Sequence, residues 1–203
     1  MNHILDLKTQ STQLHSLFES IHGGNTILFL GAGASVGEKR YLSKEIINYY
    51  EEYLVKSYQE PNITKFLDIL SADPNFNRNH FDAEVEKMLN KLNVSEAHKI
   101  LASIPWQEII TTNYDLLVER AFDEVRKTSD HNFDIAPIRE LKQFNYRSDN
   151  SEIRYIKLNG CISEKKQYPL AFSTDDFNKL KKFYKAVLNE LKNISNNTTF
   201  LSM

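Results

Sequence analysis

The chain has 203 residues, 41% of them hydrophobic and 26% charged, which fits one large globular domain with a sizeable buried core. A formal net charge of −2 gives no global electrostatic reason to bind nucleic acid or an anionic membrane. Cys161 is the only cysteine, so neither an internal disulfide nor a four-cysteine zinc module can form, and no zinc is expected.

Met1 to Lys8 lack a basic region followed by an apolar run, so no signal peptide is expected. No apolar stretch approaches the roughly 20 residues of a membrane span, and the cytoplasm is the expected compartment. Leu14, Leu17, Phe18 and Ile21 follow the i, i+3, i+4, i+7 spacing of an amphipathic helix, which Gly23-Gly24 ends. Thr26 to Leu30 is a short apolar run of the kind shown by a strand buried on both faces. It leads into Gly31-Ala32-Gly33-Ala34-Ser35, after which a helix is expected. From about 41 to 105 the sequence reads as helical segments around the polar break Ser71 to Asn75, an insertion between the first and second strands.

The second strand, Ile109 to Thr112, precedes Asn113-Tyr114-Asp115. A helix then follows, with Leu117, Ala121 and Val125 on one face. Tyr155 to Leu158 is a third run, ahead of Asn159-Gly160-Cys161. A fourth, Tyr168 to Phe172, leads into Ser173, whose hydroxyl and following acids are the signal of a helix start. That helix carries Phe177, Leu180, Tyr184, Val187 and Leu191 on one side, and Lys179, Lys181, Lys182 and Lys185 on a solvated one. Thr199 to Met203 reads as another strand beginning, so the chain is expected to be the front part of a longer protein. Strands alternating with helices predict an α/β fold: a Rossmann-like, mostly parallel sheet with helices on both faces and a helical insertion.

Strand, glycine-rich turn and helix together form an arrangement that sets backbone N–H groups against a pyrophosphate. Gly31 and Gly33 would allow close backbone approach, with Ala32, Ala34 and the Ser35 hydroxyl completing the turn. The pattern departs from GxGxxG at Val36, and a plain turn that needs small residues remains the alternative. Thr112, Asn113 and Asp115 lie at a strand's carboxyl end, where ligands bind in open α/β sheets. Asn113 is suited to orienting a ribose hydroxyl or a water, and Asp115 to bonding the loop or a sugar. Equally, Thr112 or Asn113 could simply cap the next helix, with Asp115 favouring its dipole. Asn159-Gly160 could be a turn that supplies positive φ. Cys161 reads as a small core residue. The six histidines show no metal-ligand spacing, and most are expected at or near the surface.

FLGAGAS at 29–35, ITTNYD at 110–115, KLNGCI at 157–162 and FSTDDF at 172–177, in that order, resemble the prokaryotic sirtuin-like family found in antiphage defence. The resemblance implies a single Rossmann-like domain over 1–203, with NAD as substrate and cleavage of the nicotinamide–ribose bond. It implies that Gly31 to Ser35, Thr112 and Asp115 bind NAD and that Asn113 and Asn159 are catalytic. It also implies a regulatory partner or further C-terminal region, and a homo-oligomer. Relatives commonly carry His as the general base where this chain has Asn159, and an amide cannot take a proton near neutral pH. Two other functions stay open: a non-catalytic nucleotide-binding or assembly module, and NAD-dependent protein deacylation. The single cysteine opposes the last.

Overall fold

The computed structural model describes residues 11–35, 41–128, 133–145, 152–194 and 198–203. Five strands form one all-parallel sheet in the order β3-β4-β2-β1-β5. They are β1 (Thr26–Leu30), β2 (Glu108–Thr111), β3 (Asp134–Ile138), β4 (Glu152–Lys157) and β5 (Thr199–Ser202). β1, β2 and β4 hold the middle, where both faces are covered; β1 is accordingly almost wholly apolar, and β2 and β4 carry the apolar pairs Ile109-Ile110 and Tyr155-Ile156. β5 lies at an edge against β1, with Phe29 beside Ser202, and its residues alternate between partly buried and exposed. β3 occupies the other edge. Its Pro137 makes the sequence read poorly as a strand, but an edge tolerates a missing N–H donor.

The side-chain alternation of each strand sorts the core into two layers. Leu28, Leu30, Ile109, Ile153 and Tyr155 face α5 (Glu96–Ala102) and α6 (Leu117–Thr128), whose Leu101, Val118, Ala121, Phe122 and Val125 they meet. Ile27, Ile110 and Ile156 point the other way, toward Phe144 of α7 (Leu141–Asn145) and Phe183 and Val187 of α8 (Thr174–Asn193). The amphipathic α1 (Ser11–His22) precedes β1 and sends Ile21 against the first of these layers.

A third core lies beyond the strands' carboxyl ends. α2 (Ser43–Leu54), α3 (Ile63–Ser71) and α4 (Arg78–Leu89) bury Ile46, Tyr50, Phe66, Leu67, Phe81 and Val85 together. These pack on Leu117, Ile162, Leu170 and Phe172, residues that follow β2 and β4. α2, α3 and α4 therefore roof the end of the sheet where open α/β folds bind ligands. Asn62 and Asn77 start α3 and α4 with side-chain caps, and the polar stretch 71–75 lies between them.

A 3-10 turn, Ala32–Ser35, follows β1, and the next described helix starts at Ser43; the helix expected directly after the turn would begin on residues 36–40, which lie outside the described residues. One sequence expectation is corrected. Tyr168 to Phe172 is an irregular buried segment and not a strand. Its backbone is satisfied by the loops instead: Ala171 N–H donates to Asn159 O, and the Ala171 and Leu170 carbonyls accept from the Tyr114 hydroxyl and Arg78.

Candidate functional site

Three strand ends converge beneath the helical roof. The turn after β1 brings Ala32 and Ser35, the turn after β2 brings Thr112 to Asp115, and the turn after β4 brings Asn159. They line one pocket with Phe172, while Tyr41 to Ser43, Ile46, Ile63, Leu89 and Leu92 supply its opposite, largely apolar wall. Of the residues the sequence singled out, Ala32, Ser35, Thr112, Asn113, Asp115 and Asn159 are thus brought together. Gly31, Gly33 and Ala34 are in the same turn but do not line the cavity.

Asn113 does not cap α6. Its side chain crosses to the glycine-rich turn, where Nδ2 donates to Gly31 O and Ser35 Oγ, both at 2.9 Å. A carbonyl can only accept, so the contact with Gly31 fixes which end of the amide faces the turn. Both N–H groups are then committed, and Oδ1 is left as an acceptor with no partner among the described residues. The backbone beneath is held as well: Thr111 Oγ1 donates to Leu30 O at 2.9 Å and accepts from Asn113 N–H at 3.0 Å.

The capping falls to Asp115, whose Oδ1 accepts from Leu117 N–H at 3.0 Å at the start of α6. Its Oδ2 accepts from Ser35 Oγ at 2.6 Å, completing a relay from Asn113 through Ser35 to Asp115. Both carboxylate oxygens are engaged within the protein and the residue is buried. Asp115 acts on the loop more directly than on anything in the cavity.

Asn159 is also bonded at both ends. Nδ2 donates to Thr112 O at 3.1 Å, and Oδ1 accepts from the Tyr184 hydroxyl at 2.9 Å, linking the β2 and β4 turns to α8. Burial pushes the Tyr184 phenol up to about 12. Burial likewise pushes the Tyr114 phenol above its ordinary value, and its ring stacks on Phe172 with centroids 4.5 Å apart. Both phenols thus hold their protons and act as hydrogen-bond donors. Gly160 has φ +92°, and a Cβ there would collide with the Pro169 carbonyl, so this glycine is demanded by the fold.

The glycine-rich turn is different. Among the described residues, a Cβ on Gly33 would meet nothing within 4 Å, and one on Gly31 would find only an ordinary contact, Met203 O at 3.8 Å. Neither has a positive φ. The described residues therefore require glycine at neither place and leave the space beside Gly33 open.

The sequence reading missed several supports. His98 is buried behind the turn: Nδ1 accepts from Ser95 N–H at 3.0 Å, so Nε2 carries the proton and donates to Ala34 O at 2.8 Å. Nothing in metal-ligand spacing could reveal that tie, since it binds a carbonyl. Lys157 and Tyr184 were read as part of a strand and a helix face. Cys161 is buried, as expected of a core residue, and the described residues hold no group of three or more His, Cys, Asp or Glu side chains suited to a metal. Among the described residues no helix is long and apolar enough to cross a membrane.

A parallel sheet with helices on both faces, and polar turns gathered at its carboxyl edge, makes this a Rossmann-like α/β domain. Residues 107–203 match the family model described as the SIR2-like domain, which takes in Asn113, Asp115 and Asn159 and stops short of the glycine-rich turn. The chain is similar to the protein named NAD(+) hydrolase ThsA of Enterococcus faecium, with 30% identity over 54% of this chain and 23% of the relative. Its similarity to proteins of the same name from Cytobacillus dafuensis and Acinetobacter baumannii is 29%, over 58% and 61% of this chain and 24% and 26% of theirs. The second half of the chain is thus similar to the sirtuin-like family. The chain spans about a quarter of the length of the curated relatives it matches.

Proposed function

We propose that this domain binds NAD in the pocket at the carboxyl ends of β1, β2 and β4 and hydrolyses its nicotinamide–ribose bond, as an effector of bacterial antiphage defence. The observation that carries the reading is Asn113. It is bonded to the glycine-rich turn through both amide hydrogens and keeps only an acceptor for the cavity. Loss of nicotinamide leaves an oxocarbenium-like ribose, so a site need only hold the ribose, favour developing positive charge and deliver water. An oriented amide oxygen suits a ribose hydroxyl or the attacking water, and its partial negative charge suits the cation. The pyrophosphate would run along the outside of the turn, beside Gly33, where the described residues leave room. The names of the relatives support the same substrate and reaction. A regulatory partner or further region, and a homo-oligomer, belong to this reading as the usual means of holding such an activity in check.

One observation favours a second reading, a nucleotide-binding module without catalysis. Both ends of the Asn159 amide are bonded within the protein, and the resemblance puts this residue where relatives commonly carry a His base. NAD consumption by the full chain, followed by nicotinamide and ADP-ribose release and paired with calorimetric NAD binding, separates the two. Binding with release supports hydrolysis, and binding without release supports the second reading. Gly33→Val is the control for the site. It should abolish NAD binding with the melting temperature little changed, because its side chain enters open space; a folded variant that binds normally removes the turn from the site.

A further inference from the structure

We propose that Lys157 is a positioning residue, which holds the turn bearing Asn113 and Asp115 in register from a buried place beneath it. The inference rests on the proposed NAD site. Lys157 ends β4, is fully buried, and donates from Nζ to the carbonyl of Asp115 and, at 2.8 Å, to Glu119 Oε1 on α6. Among the described residues its Nζ bonds neither Asn113 nor Asn159, and its hydrogen-bonded route to the pocket is through Asp115.

Three bonds converge on that residue: Lys157 on its carbonyl, Leu117 N–H on Oδ1 and the Ser35 hydroxyl on Oδ2. Ser35 in turn receives Asn113 Nδ2. Lys157 is thus the underside of the relay that orients the Asn113 amide. Core packing does not explain a lysine here, because a buried ion pair adds little stability over an apolar pair of similar volume. Nor is this pair optimised for stability, since Glu119 Oε2 is buried with no hydrogen-bond partner among the described residues. What an apolar side chain could not supply is a donor to the Asp115 carbonyl.

The test compares Lys157→Met with the double variant Lys157→Met/Glu119→Leu. The single variant strands a buried carboxylate and should melt well below wild type; the double removes both charges and should melt at or above it. If Lys157 positions the turn, the double variant should lose roughly tenfold or more in kcat with KM for NAD within about twofold, as expected when a reacting contact is misplaced. Amide exchange at residues 113–116 should accelerate in the same variant. Wild-type turnover and exchange in the double variant would overturn the proposal, as would a loss confined to the single variant and tracking its melting. Should the wild-type chain not turn over NAD, the proposed reaction fails on its own, and exchange at 113–116 alone decides: faster exchange in the stable double variant supports the positioning role, and unchanged exchange rejects it.

Discussion

Asn113 and Asn159 are both asparagines at strand ends, yet their bonds leave them different chemistry. Asn113 gives its donors to the glycine-rich turn and keeps an acceptor, whereas Asn159 bridges Thr112 O and the Tyr184 hydroxyl. Asn113→Ala should lower NAD turnover by roughly 10²-fold or more, the usual effect of losing an aligned polar contact at a reacting centre. It should also cost about 1–2 kcal/mol of stability, because Gly31 O and Ser35 Oγ lose their shared donor. Turnover that falls no further than the melting curve explains would remove Asn113 from the chemistry. Asn159→His should raise turnover, since imidazole accepts a proton near pH 7 and amide does not. A decrease at matched stability would mean that the bridge from Thr112 to Tyr184 is itself what turnover needs.

Among the elements, the strands of the sheet's middle were legible because burial on both faces writes itself as apolar runs at Thr26–Leu30 and within Glu108–Thr111 and Glu152–Lys157. β3 was not legible: a five-residue edge strand with Asp134 and Pro137 lacks that signature. Tyr168 to Phe172 misled in the opposite sense, since its apolar character serves a buried loop whose backbone partners are distant in sequence. The glycine-rich turn, Asn113 and Asn159 could be located from strand ends, but the apolar wall from α2 to α4 could not. Its residues carry only the pattern of helical packing. The staple that fixes this wall was equally hidden. Arg78 at the start of α4 donates to Asp82 and Asp176, each at 2.8 Å, and to Leu170 O, tying the roof to the start of α8 and to the loop before it. Burial works against ionising Asp176, but hydrogen bonds from Ser173 and Arg78 outweigh it and hold the carboxyl below its ordinary value. Arg78→Met strands the mostly buried Asp82 carboxylate and removes the counter-charge of Asp176, and should cost about 3 kcal/mol. It should weaken NAD binding too, since Ile46, Ile63 and Leu89 ride on the same helices. Denaturant unfolding that matches wild type would show that the roof is held by its apolar core alone.

For the molecule as a whole, the pocket lies at one end of the sheet and an unusual charge cluster at the other. Glu108 opens β2, is 5% exposed, and meets Arg154 Nη1 at 2.9 Å; the same nitrogen bonds Glu190 of α8. Arg154 Nη2 has no partner among the described residues, so one guanidinium nitrogen serves two carboxylates. Burial, only partly offset by Arg154 and reinforced by Glu190, pushes the Glu108 carboxyl up to about 7. An acid whose folded pKa exceeds its unfolded value favours the folded state while protonated. That contribution is complete below about 4.5 and is lost as the pH rises toward 7, amounting to about 3 kcal/mol. Other carboxyls run the opposite way, Glu84 and Asp176 among them, so the wild-type melting curve alone mixes the two trends. Glu108→Gln isolates the first, because its amide oxygen can still accept from Arg154 and never ionises. Between pH 5 and pH 8 the variant's melting temperature should climb relative to wild type by several degrees, with nearly all of the change complete by about pH 7.5. NAD affinity should show no such divergence, since the cluster lies at the amino ends of the strands and the pocket at their carboxyl ends. A constant difference in melting temperature across that range would mean that Glu108 remains ionised throughout and that Arg154 compensates its burial in full.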